Sequence, residues 1–146
     1  MKCAFYIVDW NDLKNIYGCR VKTIEIFNKE NLIIDSAVGQ HKDGMTNENV
    51  KSIEIYDGTM KHFPRGIEKV FPNLIVICIK NIKLAEISKE DLKPFPKLRR
   101  LCIYNNDLEV IHADLFENNQ ELEEIYLESN LIQHIDPKSF DMLPNL

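Results

Sequence analysis

Apolar residues return along this chain at a fixed interval. Val50, Leu74, Leu98, Leu122 and Leu146 stand 24 residues apart, and each opens the same pattern. The spacing apolar-x-x-apolar-x-apolar recurs as Val50/Ile53/Ile55, Leu74/Ile77/Ile79, Leu98/Leu101/Ile103 and Leu122/Ile125/Leu127. Two further apolar positions keep the register, first Met60, Leu84, Leu108 and Ile132, then Phe63, Ile87, Ile111 and Ile135. A later one carries Leu92, Phe116 and Phe140, with Glu68 in its place in the first unit. Core residues of unrelated strands would not hold one spacing through four units. Such a period marks a solenoid, in which each unit buries its apolar side only against its neighbours. The opening pattern of each unit predicts a short strand of a parallel sheet, with its apolar residues turned inward. The return path is irregular or a short helical turn, and residues 89–95 and 113–118 carry the best local helix content.

The units run 50–73, 74–97, 98–121 and 122–145, with Leu146 the first residue of a fifth. Upstream, Val21/Ile24/Ile26 repeats the strand pattern 29 residues before Val50, so residues 21–49 are read as a degenerate first repeat with an irregular, glycine-bearing loop. Residues 1–20 are read as a cap, in which the weak alternation of Cys3 to Val8 predicts an antiparallel strand. Position 9 of the third and fourth units is Asn106 and Asn130, where Gly58 and Ile82 stand in the first two. An Asn amide there bonds the backbone of neighbouring coils, so an asparagine ladder is expected only toward the C-terminal end. Leu143 and five other apolar residues of the last coil (Ile125, Leu127, Ile132, Ile135 and Phe140) are expected to line an uncapped end. An exposed strand edge there would favour end-to-end self-association.

The 24-residue unit, with Phe71-Pro72-Asn73-Leu74 and Asp114-Leu115-Phe116 at its junctions, resembles the typical extracellular class of leucine-rich repeats. The wording of Phe63 to Glu68 and of Glu90 to Pro96 is similar to small secreted leucine-rich-repeat proteins of insects. The resemblance implies an α/β solenoid, a horseshoe with a parallel concave sheet and an irregular, short-helical convex side. It also implies extracellular recognition, innate-immune or at a cell surface or matrix. Cys3 and Cys19, flanking Trp10, Leu13 and Tyr17, resemble the cysteine-bearing N-terminal flank of such proteins, which implies a bridge between them. That bridge would close a loop of about 17 residues and contribute roughly 3 kcal/mol. Two buried thiols are the alternative.

Strand alternation puts repeat positions 3, 5 and 7 on the concave face. Phe27, Tyr56, Lys80 and Tyr104 stand in one column, joined by Arg100, Glu124, Tyr126 and Glu128, and these eight are the candidate partner-binding residues. Tyr and Arg are enriched in interface hot spots. A solvated sheet face with aromatics favoured by strand propensity is the competing reading. Cys78 and Cys102 occupy the same position of adjacent strands, and two free thiols are expected because side-by-side Cβ vectors strain a bridge.

The net charge of −5 argues against nucleic acid, and no apolar run reaches the length of a membrane span. Phosphate loops and metalloprotease or serine-hydrolase motifs are absent. The four histidines are scattered, without a recurrent carboxylate partner. No catalytic residue, metal or cofactor is therefore expected, and the partner is a protein. A secretory leader is not evident in Met1 to Asp9, which is too short an apolar run. A matrix spacer and an intracellular scaffold are the alternatives to an extracellular recognition module.

Overall fold

The computed structural model describes residues 1–22 and 33–146. Its strands are β1 (Ala4–Trp10), β2 (Leu13–Lys22), β3 (Ser52–Tyr56), β4 (Val76–Lys80), β5 (Arg100–Tyr104), β6 (Val110–Ile111), β7 (Glu124–Tyr126) and β8 (His134–Ile135). Two single-turn helices, α1 (Ile67–Val70) and α2 (Lys89–Leu92), lie on the return paths. The main sheet has the order β1-β2-β3-β4-β5-β7, and a small second sheet pairs β6 with β8. From β2 onward every main-sheet pairing is parallel. The register advances by one repeat per strand, so Ile53 faces Ile77, Ile77 faces Leu101 and Leu101 faces Ile125. The result is a parallel-sheet solenoid of about four turns with little helix, a leucine-rich-repeat fold.

Its core is the column of inward residues anticipated from the period. Ile53, Ile55, Ile77, Ile79, Leu101 and Ile103 are all fully buried, and β-branched side chains suit a pleated surface packed on both flanks. Leu84, Leu108 and Ile111 continue the core through the turns. Where Glu68 breaks the convex column, its neighbour Ile67 enters the core instead, fully buried at the start of α1. Helix α2 starts from a capping box in which Ser88 and Asp91 satisfy each other's backbone N–H groups. Residues 113–118 form turns and not a helix. Three carbonyls accept there at i+3 spacing, from Leu115, Glu117 and Asn119, so the chain never settles into i+4 pairing.

Polar residues tie successive coils where the ladder cannot. The amide of buried Asn106 donates to the carbonyls of Ile79 and Tyr104, both at 3.0 Å, and its oxygen accepts from the N–H groups of Ile82 and Leu84 at 3.1 and 3.2 Å. Asn130 repeats this one coil on, toward Ile103, Leu127 and Leu108. Two more columns of period 24 go beyond the sequence reading. Position 8 holds Asp57, Asn81, Asn105 and Ser129, all with left-handed backbone at φ between 53° and 57°. Asn and Asp tolerate that region best among residues with a Cβ. On the convex side, Phe71, Phe95, Asn119 and Leu143 form a buried spine, and Asn119 donates to the carbonyls of Leu92 and Phe95. Leu143 is thus core, not part of an exposed end; Leu131, Ile135, Met142 and Leu146 are the exposed apolar residues of the last coil.

The N-terminal part differs in register from the expectation. Strand β1 is antiparallel to β2, with Phe5 opposite Cys19 and Tyr6 opposite Gly18, across a tight turn at Asn11 and Asp12. The strand that pairs with β3 is β2, which puts Cys19 opposite Ile53 and Val21 opposite Ile55. Val21 therefore closes the strand pattern and does not open it. The physical reason is the bridge: Cys3 and Cys19 are joined, with Cα atoms 5.3 Å apart, and the half-cystine at 19 fills the inward slot that Ile53 fills next door. Ile24, Ile26 and Phe27 lie outside the described residues. The loop that follows returns to the cap, where His41 stacks on Phe5 at 3.8 Å, bonds Tyr17 at 3.0 Å and reaches Asn47 at 3.1 Å.

Candidate functional site

Alternation along β2 sends Tyr17, Cys19 and Val21 into the core and Ile16, Gly18 and Arg20 to the concave side. The β1–β2 hairpin uses that second side to lie over the sheet. Leu13 and Ile16, with Val8 and Trp10, pack against Val76 of β4. The hydroxyl of Tyr6 donates to Glu54 of β3, and Arg20 adds a 2.9 Å bond to the same carboxylate while its guanidinium sits 4.6 Å above the Tyr6 ring. Glu54 is buried, so its charge requires these partners. Burial and the Glu54 carboxylate push the Tyr6 phenol well above its ordinary range. The same carboxylate holds Arg20 above its ordinary value, outweighing burial.

At the tip the cover reaches farther. The Trp10 ring lies 5.6 Å from the Arg100 guanidinium, Asp12 contacts Arg99 at 3.0 Å and Arg100 at 3.5 Å, and the Asn11 amide donates to Glu124 at 3.2 Å. Arg100, only 2 % exposed, pairs with Glu124 through both its Nε and a terminal nitrogen, a bidentate arrangement that suits a buried guanidinium. Glu124 also accepts from the Tyr126 hydroxyl. The Arg100 bonds foremost, then those from Tyr126 and Asn11, hold the Glu124 carboxyl down at about 2 despite partial burial. Tyr126 is in turn held above its ordinary range by that carboxylate. Arg99 and Glu123 form a parallel pair at 2.6 Å on the neighbouring column.

This occupation corrects the expected binding face. Positions 3 and 5, which hold Ser52, Glu54, Val76, Cys78, Arg100 and Cys102, are buried and not open to a partner. Arg100, Glu124 and Tyr126 are engaged within the chain. Position 7 remains accessible: Tyr56, Lys80 and Tyr104 are half-buried in one column and Glu128 is exposed at its end. The Lys80 ammonium stands 5.5 Å from the Tyr56 ring and 5.8 Å from the Tyr104 ring. Burial lowers its pKa, but Tyr104 and the nearby Glu54 outweigh that and leave it raised, so Lys80 is a permanent cation between two rings. Phe27 lies outside the described residues.

Cys78 and Cys102 face each other across β4 and β5 as free, buried thiols. Their closeness sets them apart, lowering the Cys78 thiol and, with burial, raising that of Cys102. On the flank, a cavity of about 560 Å³ is lined by His62, Arg65, Glu86, Asp91, Asp107 and His112 among others. Among the described residues no group of three or more His, Cys, Asp and Glu side chains is placed to hold a metal ion. None of the described helices is long and apolar enough to cross a membrane.

Fold and site together define a leucine-rich-repeat solenoid whose concave sheet is partly covered by its own N-terminal hairpin, a class of scaffold typically used for binding and not for catalysis. A leucine-rich-repeat family model matches residues 96–146, the part of the chain where the unit is most regular. No curated protein matches. Among solved structures, a chain from the structure of the Toll–Spatzle complex, described as a molecular hub in Drosophila development and innate immunity, is similar over 76% of this chain with a TM-score of 0.63 and 23% identity. The chain spans 15% of that protein's length.

Proposed function

We propose that this chain is an extracellular recognition module that binds a protein ligand along the open column Tyr56–Lys80–Tyr104, with Glu128 at its end. The observation that carries the reading is the contrast within one face. Outward positions 3 and 5 of the first three units are buried, and in the fourth Glu124 and Tyr126 are bonded to each other, while position 7 presents two aromatic rings around a fixed cation. Tyrosine and cationic side chains in a half-covered strip have the character of interface anchors. The acidic end at Glu128 and the cation at Lys80 would set the orientation of a partner more than its affinity. The extracellular setting is supported by the Cys3–Cys19 bridge, since disulfides persist in oxidising compartments. The similarity to a chain of the Toll–Spatzle complex supports an innate-immune or cell-surface role of the same general kind.

The test compares capture of proteins from extracellular fluid by the wild-type chain and by Tyr56→Ala and Tyr104→Ala variants. Each substitution is expected to weaken a retained partner by at least about 1 kcal/mol, with melting nearly unchanged because neither ring is core. Equal capture by the variants, or a large drop in melting temperature, would overturn the assignment.

A further inference from the structure

The hairpin does more than a cap requires. Pairing of β2 with β3 already covers the first strand edge, and the Cys3–Cys19 bridge closes the core beneath it. The tip nevertheless runs on past β4 to contact Arg99, just before β5, Arg100 at its start and Glu124 of β7. The floor it lands on is already complete, because Arg100 and Glu124 satisfy each other bidentately and Arg99 does the same with Glu123. The tip contributes a ring to Arg100 and a carboxylate to both arginines, without being needed to neutralise either.

The tip's own bonds are weak. The Asp12 side chain is 55% exposed, and the Asn11 amide reaches Glu124 at the surface. Exposed pairs of this kind are screened and contribute little. Trp10 Nε1, Arg20 Nε and Ser52 Oγ are buried without a hydrogen-bond partner, and all three lie where the hairpin meets the sheet. A contact fixed for stability alone leaves few such groups unmatched. At its tip the cover is thus tight in shape, loose in polar bonding, and seated on a pair of arginines whose charges are matched without it.

We propose that the hairpin tip is a displaceable occupant of a receptor formed by Arg99 and Arg100, and that the receptor accepts in its place a protein turn carrying an aromatic ring beside a carboxylate. The chemistry is that of the resident tip: a ring over the Arg100 guanidinium and an acid shared between two guanidinium groups. The natural partner's role rests on the recognition reading above, but the opening of the hairpin does not.

Cys78 and Cys102 report the opening without any ligand, since both are free, at most 3 % exposed, and on the covered face. The full chain is labelled under native conditions with a thiol reagent, as wild type, as Asp12→Asn and as Trp10→Ala/Asp12→Ala. The double variant is expected to label about tenfold faster, the effect of a modest loss in local opening free energy. The parallel-strand amides should stay protected from hydrogen exchange. Asp12→Asn, which leaves the apolar packing intact, is expected to accelerate labelling in the same direction and less. In a second arm, a head-to-tail cyclised peptide with the sequence of residues 8–14 is titrated into the double variant and into wild type. Tighter binding to the double variant, lost when the peptide carries Ala for its Trp and second Asp, is the expected result. Labelling rates that are unchanged in both variants, or a peptide that binds both proteins equally, would overturn the proposal. Neither arm uses the natural partner, so a failure of the Tyr56–Lys80–Tyr104 reading would leave these results standing.

Discussion

Replacing Asn106 by alanine removes a buried side chain that ties two successive coils together through four backbone bonds. Four groups lose their partner: the N–H groups of Ile82 and Leu84 and the carbonyls of Ile79 and Tyr104. A buried donor left unsatisfied costs about 1–3 kcal/mol, and a carbonyl less when its second lone pair is used elsewhere. The two orphaned N–H groups set the scale, the carbonyls add to it, and relaxation of the turn returns part. Asn106→Ala is therefore expected to cost about 3–5 kcal/mol. Asn130→Ala removes analogous bonds, but its contacts are only partly buried, so water replaces them and the cost should be about 1–2 kcal/mol. Urea unfolding of the two variants beside wild type measures both, with an unchanged slope showing that the unfolding unit is the same. A cost below about 1 kcal/mol for Asn106→Ala, or equal costs for the two, would refute the view that burial of the ladder decides its worth.

Removing the Cys3–Cys19 bridge by Cys3→Ser/Cys19→Ser should lower unfolding free energy by about 3 kcal/mol, measured by urea denaturation, since the closed loop is short. Thiol counting on denatured, unreduced protein should give two reactive groups, from Cys78 and Cys102; a count of four would remove the bridge from the account. Glu124 predicts a pH effect. Its folded-state carboxyl is depressed to about 2, so its stabilisation is complete above the ordinary carboxylate value near 4.5 and is lost as pH falls toward 2. The contribution is about 1–2 kcal/mol once the partial exposure of the pair is allowed for. In thermal melts, Glu124→Gln should flatten that part of the acid limb. A variant with an acid limb identical to wild type would show that the Arg100 pair carries no such linkage.

The period of 24 by itself determined the architecture, because a solenoid's contacts are between equivalent positions of neighbouring coils. Knowing one interval gives the register Ile53–Ile77–Leu101–Ile125, the inward columns and the place of the Asn106 and Asn130 ladder. Two columns were equally periodic and were overlooked. Asp57, Asn81, Asn105 and Ser129 share a left-handed turn, for which recurring Asn and Asp were the visible sign. Asn119 was hidden because it replaces phenylalanine in its column, and its amide bonds backbone carbonyls where a ring would only pack.

The N-terminal hairpin was half legible. The weak alternation of Cys3 to Val8 signals one antiparallel strand, while the tight turn at Asn11-Asp12 and the start of its partner strand at Leu13 come only from the structure. Where that hairpin lies was not legible, for its contacts join residues 87 and 113 positions apart, Asp12 with Arg99 and Asn11 with Glu124. No repeat relates those residues, so no interval in the chain announces them. Strand alternation correctly turned Arg100, Glu54 and Cys78 away from the core, but outward and exposed are different properties. The first follows from backbone geometry within one strand. The second depends on what another part of the chain places on top, and only the tertiary structure decided that, leaving Tyr56, Lys80 and Tyr104 as the open part of the face.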